Sequence, residues 1–250
     1  MTVVAWVGSS VVHVSDVDRR EGLLRAGIVA PVLPRERTGE GRQLRRWLVQ
    51  VLVAERLVVD EARMRGLSAD GPPLSAIAPD RAAMLGLGSA AADLVARSSV
   101  ARAVFVAVTA EVVGPSVERF YADNPERFRV AEERVVLHTL GDGAARRRVL
   151  RRGELTGPVE DAVFAAAVGD LVGPVADPLG VHSLVVEEVR AARVRPLDEV
   201  RVEVGEWLLA GARRRAFTAW LDREMAARVR LAPGYEHPGD PGQPDNTHRH

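Results

Sequence analysis

The chain has 250 residues, no cysteine, and 34 basic side chains, all arginine, against 34 acidic ones. The length suits one large domain or two small ones, and a 47% hydrophobic content is enough to bury a core. The missing cysteine and lysine exclude disulfides, thiolate chemistry and lysine Schiff bases, and without a basic stripe among aromatics nucleic acid is not an expected partner.

Residues 3–14 are β-branched and loosely alternating around "GSS", which predicts a small hairpin. Ser15 or Asp16 is placed to cap a helix running to about Ala26. The opening lacks a basic start followed by a long apolar core, and no apolar run approaches the ~20 residues of a membrane span. The sequence as written is therefore expected to act in the cytoplasm without a membrane span. The loop "APVLPRERTGEGR" leads into "QLRRWLVQVLVAERLVVDEARMRGL". In that stretch Leu44, Trp47, Leu48, Val51, Leu52, Val58 and Val59 recur at helical spacing, and Gly66 stands where a C-terminal cap belongs.

After the break "SADGPPLSAIAPD", residues 81–113 read as helix in two pieces. Pro115 and Pro125 each suit a first helical turn, with Asn124 as the N-cap before Pro125. Residues 132–190 change character, being richer in β-branched residues and Gly-containing turns. From "RPLDEV" onward a long helix is predicted, with Val200, Val204, Trp207, Leu208, Phe217, Trp220 and Leu221 as its apolar stripe. Residues 233–250 form a Pro/Gly/polar tail, expected to be disordered. The fold class expected is α+β. A mostly helical domain comes from both chain ends, residues 1–130 and 194–232, and a small antiparallel-sheet domain, residues 131–193, is inserted between them.

Other motifs carry less. "HRH" at the C-terminus and His13 in the hairpin read as solvated or core-edge residues, so no metal site or cofactor is expected. "GLGSAA" follows no strand and lacks the spacing of a phosphate loop. Glu160 and Asp161 fall in a first helical turn, where they complement the helix dipole. The "RRR" runs at 146–148 and 213–215 read as solvated faces, with an acidic partner as the alternative.

This layout resembles the parvulin-type peptidyl-prolyl isomerases of the SurA and PrsA foldase group. "VVAWVGSSVVHVSDVDRRE" is similar to their opening, "LRRWLVQVLVAERLVVDEARMRGL" to their chaperone helix, and "VERFYADNPERFRVAEERVVLHTL" to the entry of a parvulin domain. "RRGELTGPVEDAVFAAAVGDLVGPVADPLGVHSLVVEEV" is similar to the rest of that domain, and "RPLDEVRVEVGEWLLAGARRRAFTAWLDREM" to the returning helix. The resemblance implies two facing histidines on central strands, which fall here on His138 and His182. It also implies an apolar proline pocket that includes Leu155 and Val159, with Phe164 behind them.

Three departures stand out. Only "TLGDGAARRRVL" separates His138 from Arg151, so the family's intervening helices are missing and a direct hairpin is predicted. The pocket position usually held by an aromatic is Val159, and a small hydroxyl residue commonly found three before the second histidine is Leu179. The resemblance thus implies a folding or peptide-binding protein that captures extended or proline-containing polypeptides in a cleft, with weak or lost isomerase activity. The alternatives are an active isomerase using His138 and His182, a purely structural histidine pair, and a parvulin-like fold recruited to a small molecule. Homodimerisation over an exposed apolar cleft is a further expectation.

Overall fold

The computed structural model describes residues 2–68 and 70–240. In chain order, the first elements are strands β1 (Val3–Val7) and β2 (Ser10–His13) and helices α1 (Val14–Arg25) and α2 (Gly39–Arg65). Helices α3 (Leu74–Ile77), α4 (Arg81–Leu85), α5 (Ser89–Arg97), α6 (Ser99–Val108) and α7 (Val117–Asp123) follow. Next come strands β3 (Arg129–Val130), β4 (Glu133–Leu140) and β5 (Arg146–Arg151), helix α8 (Pro158–Ala165), and strands β6 (Leu171–Asp177), β7 (Gly180–Arg190) and β8 (Arg193–Val194). Helix α9 (Leu197–Arg228) and strand β9 (Val229–Leu231) complete the α+β fold. The chain divides into a terminal unit, running up to Pro115 and from Glu206 onward, and a central unit, Ser116–Gly205. Residues 241–250 of the expected tail, including His248 and His250, lie outside the described residues.

In the terminal unit the predicted hairpin forms and is extended by β9, giving the antiparallel order β2-β1-β9. Helix α1 starts at Val14, directly after the strand; the Asp16 carboxylate accepts from the His13 amide at 3.0 Å. That bond holds the Asp16 carboxyl below its usual range. Helix α2 begins at Gly39, four residues before the predicted start, because the Thr38 hydroxyl accepts from the Gly41 amide at 3.1 Å. It ends at Gly66, whose φ of +62° is the left-handed conformation that closes a helix without a Cβ penalty.

Leu48, Val51, Leu52 and Val58 of α2 are buried, Leu44 and Trp47 are partly so, and Val59 is exposed. Leu57, Leu94, Val104 and Phe217 complete a continuous interior with the strand residues Val4 and Val7. Burying each such side chain contributes about 1.5–3 kcal/mol. Phe105 and Phe217 meet with ring centroids 5.2 Å apart, and Trp220 stacks on Phe217 at 5.5 Å. Trp47 donates from its indole to the Ser89 hydroxyl at 3.2 Å, and the Trp6 ring lies under the Arg230 guanidinium. Trp207 is 53% exposed and does not join the buried stripe of α9. The segment after β9 opens with the Gly234 carbonyl accepting from Arg46 Nε at 3.1 Å and Tyr235 packed on the interior.

Residues 81–113 hold three helices rather than two, because Gly88 and Ser98 each begin a new one; Ser98 accepts from the Ala101 amide. Pro115 precedes α7 without entering it, since Ser116 is the cap and accepts from the Arg119 amide. Pro125 does open a short 3-10 turn, Pro125–Phe128, while the Asn124 side chain donates to the Phe120 carbonyl instead of capping it.

The central unit holds a four-stranded antiparallel sheet of order β5-β4-β7-β6, with α8 packed on it, and the short β3–β8 pair. Residues 141–145 join β4 and β5 as a direct hairpin, as expected from the shortened spacing. Val136, Leu150, Val159, Val163, Phe164, Val172, Leu184 and Val186 form its interior. The ring of Phe164 lies against the guanidinium groups of Arg134 and Arg152, and its carbonyl accepts from Arg134 at 3.0 Å. Glu132 pairs with both arginines.

Candidate functional site

His138 and His182 stand on β4 and β7, the two inner strands of the sheet. The register pairs His138 with Leu184 and Leu140 with His182. Directly paired residues share a face, so the imidazoles are diagonal neighbours on one side of the sheet. His138 Nε2 lies 3.0 Å from His182 Nδ1, and the rings are nearly parallel, 6° apart. His182 is buried and His138 is half-buried.

Asp177 completes the set. It ends β6, pairs with Gly180 across a tight turn, and brings Oδ1 to 2.8 Å from His182 Nε2. The approach is short but off the line of the N–H bond, so it acts chiefly as a charge contact. The same oxygen accepts from the amides of Leu179 at 2.7 Å and Gly180 at 3.1 Å. A carboxylate beside Nε2 favours the proton on that nitrogen. His182 Nδ1 is then the acceptor, and His138 Nε2 the donor, of the hydrogen bond between the two rings.

The contact with His182 is the main cause holding the Asp177 carboxyl below its usual range. Burial, followed by the neighbouring His182 and Arg148, lowers the His138 pKa, with Asp177 opposing them. His138 is accordingly neutral at neutral pH.

Gly173 sets how closely β6 can approach β7. Its φ is +116°, and a Cβ there would lie 2.4 Å from the His182 carbonyl oxygen. Only glycine fits without moving the strand that carries Asp177.

A cavity of about 310 Å³ opens over the imidazoles, lined by His138, Arg148, Leu155, Val159, Asp177 and His182 together with Leu150, Glu154, Thr156, Leu179 and Leu184. The structure thus gathers His138, His182, Leu155, Val159 and Leu179 at one place, though Leu179 is 78% exposed on the turn. Phe164 does not line the cavity; it is buried on α8 with its ring against Arg134 and Arg152. No sequence signal marks Asp177, and Arg148 is marked only as part of the "RRR" run at 146–148. Counting back from the turn "DPLG" would have set Asp177 opposite Gly180, and counting across "GDGAA" would have set Arg148 opposite Val136.

Comparisons with known proteins add the following. A model described as a family of unknown function (DUF7158) matches residues 3–40, which span the hairpin, α1 and the loop into α2. No curated protein matches the sequence. Two solved structures come from work on the virulence factor PEB4 and the periplasmic protein Cj1289 of Campylobacter jejuni, described as structurally related SurA-like chaperones. One is 10% identical, with 93% of this chain and 100% of that chain covered, at a TM-score of 0.43. The other is 15% identical, with 92% and 100% covered, also at 0.43. The peptidylprolyl isomerase PrsA from Bacillus cereus is 13% identical over 95% of this chain and 93% of that chain, with a TM-score of 0.25. Among the described residues no helix is long and apolar enough to cross a membrane.

Proposed function

We propose that this chain is a polypeptide-binding folding protein whose central unit receives an extended, proline-bearing segment over the His138–His182 pair, with little prolyl isomerase activity. The observation that carries this is the cavity itself: apolar walls from Leu150, Leu155, Val159 and Leu184 above a floor of two hydrogen-bonded imidazoles. Apolar walls take a pyrrolidine ring, and the polar floor faces the peptide group next to it.

Efficient isomerisation asks for more. The uncatalysed barrier is ~20 kcal/mol, and an enzyme must hold the ring while favouring the twisted amide. Val159 supplies less contact area than an aromatic and no ring face to stack on. The direct β4–β5 hairpin also leaves out the helices that the family resemblance would place beside the substrate.

Addition of a proline-containing peptide to ¹⁵N-labelled protein is expected to shift the ring signals of both histidines and the amides of Leu155 and Val159. No shift with any such peptide would overturn the reading. One observation favours a second reading, an active isomerase: the His138–His182 hydrogen bond, with Asp177 in contact with the far side of His182, holds a neutral His138 imidazole at the cavity. A prolyl-peptide isomerisation assay separates the two. A rate near background supports binding alone, whereas a strong rate that His182→Ala removes supports the enzyme.

A further inference from the structure

Of the charged groups lining the cavity, the carboxylates are already engaged. Asp177 Oδ1 accepts from two backbone amides and touches His182. Glu154 Oε2 accepts from the Arg151 amide at 3.2 Å. Arg148 differs: among the described residues it makes no hydrogen bond or ion pair.

The arginines around it show that this is a property of the face. Arg147 bonds Glu187 at 2.8 Å, Arg151 bonds Glu133 at 2.9 Å, and Arg152 pairs with Glu132. Alternation along β5 turns Arg147 away from the imidazoles. The register pairs Arg146 with His138 and Arg148 with Val136, which sets these two on the histidine face, and neither has a partner among the described residues. Charge on an edge strand discourages edge-to-edge pairing. That accounts for all three arginines, but not for counter-ions being absent only on the histidine face, where Arg148 lines the cavity.

We infer that the cavity selects polypeptide segments carrying a carboxylate side chain beside the residue it holds, and that Arg148 receives that carboxylate. The inference rests on the peptide-binding reading above. A guanidinium presents paired N–H donors that match a carboxylate, and binding restores the charge balance at the rim. Arg148 also helps keep His138 neutral, so a bound carboxylate would ease that effect.

The test uses the full chain and three peptides with glutamate, glutamine or arginine next to one proline. The glutamate peptide is expected to bind roughly 3- to 10-fold more tightly than the glutamine one, with the margin shrinking at high salt. Arg148→Gln should erase the margin and Arg148→Glu should turn the order toward the arginine peptide, while Arg147→Glu, on the other face, should leave it in place. The ring signals of His138 should titrate at higher pH with the glutamate peptide bound. Equal binding of all three overturns the inference and leaves the peptide-binding reading standing. Binding of none overturns both.

Discussion

The two units solve the problem of a polar interior differently. The terminal unit's core cluster holds 26 buried apolar residues among those described, and its buried carboxylates Glu21 and Glu61 sit on helices where nearby arginines reach them. The central unit's cluster holds eight, and His182 is buried beside them, with its neighbour Asp177 only partly covered. In the first, polar groups are trimmed into ion pairs around a complete core. In the second, the polar chain lies beside the core, so the site and the stability of the fold depend on the same residues.

The comparison breaks first at Phe217. This ring is fully buried against Phe105 and Trp220, and Phe217→Ala should cost the terminal unit about 3–5 kcal/mol in denaturant unfolding. If the histidine ring signals of the central unit also collapse, the distinction between the units is wrong. Gly173→Ala is the counterpart in the central unit. Strain at a φ of +116° and the clash with the His182 carbonyl should cost about 1–3 kcal/mol and move the Asp177 and His182 signals.

Acid should sharpen the contrast. The folded state lowers the His138 pKa from its ordinary 6.5, so in the unfolded chain His138 takes up its proton first as pH falls. Stability of the central unit is therefore complete above about pH 6.5, declines below it, and stops declining once folded His138 also protonates. Asp177 acts lower down: its carboxyl is held below 3.8, and its contribution goes as pH falls through the folded value. Hydrogen exchange followed from neutral to mildly acidic pH should show β4 and β7 losing protection before α2. His138→Gln should remove the upper part of that dependence. The smallest effect is expected at Arg147 and Glu187, 65% and 38% exposed, where a double-mutant cycle should give at most about 1 kcal/mol.

Much of this architecture is legible along the sequence, and what is not has local causes. Helix α2 could be read from Leu44 to Gly66 because spacing and cap agree; its true start was hidden because Thr38 caps a Gly-Glu-Gly turn with no apolar signature. Trp207 has the spacing of the α9 stripe but is exposed, since an apolar residue at the right interval still needs a surface to cover it. The histidine pair was found through family resemblance and strand alternation. Asp177 escaped because its role exists only across the turn, between two residues of β6 and β7 that are ordinary in either strand alone. Arg148 escaped for a related reason: within "RRR" nothing distinguishes a paired guanidinium from one without a counter-ion until the register fixes which face each side chain takes.

All four tryptophans, Trp6, Trp47, Trp207 and Trp220, belong to the terminal unit. The protein therefore carries a built-in optical address. Ultraviolet emission excited at the indole band reports the chain-end unit alone, while the imidazole cavity is spectroscopically dark. A fluorescent proline peptide seated over His138 would be the sole long-wavelength emitter, so energy transfer from the indoles to it would read the span between the two units without any engineered label on the protein.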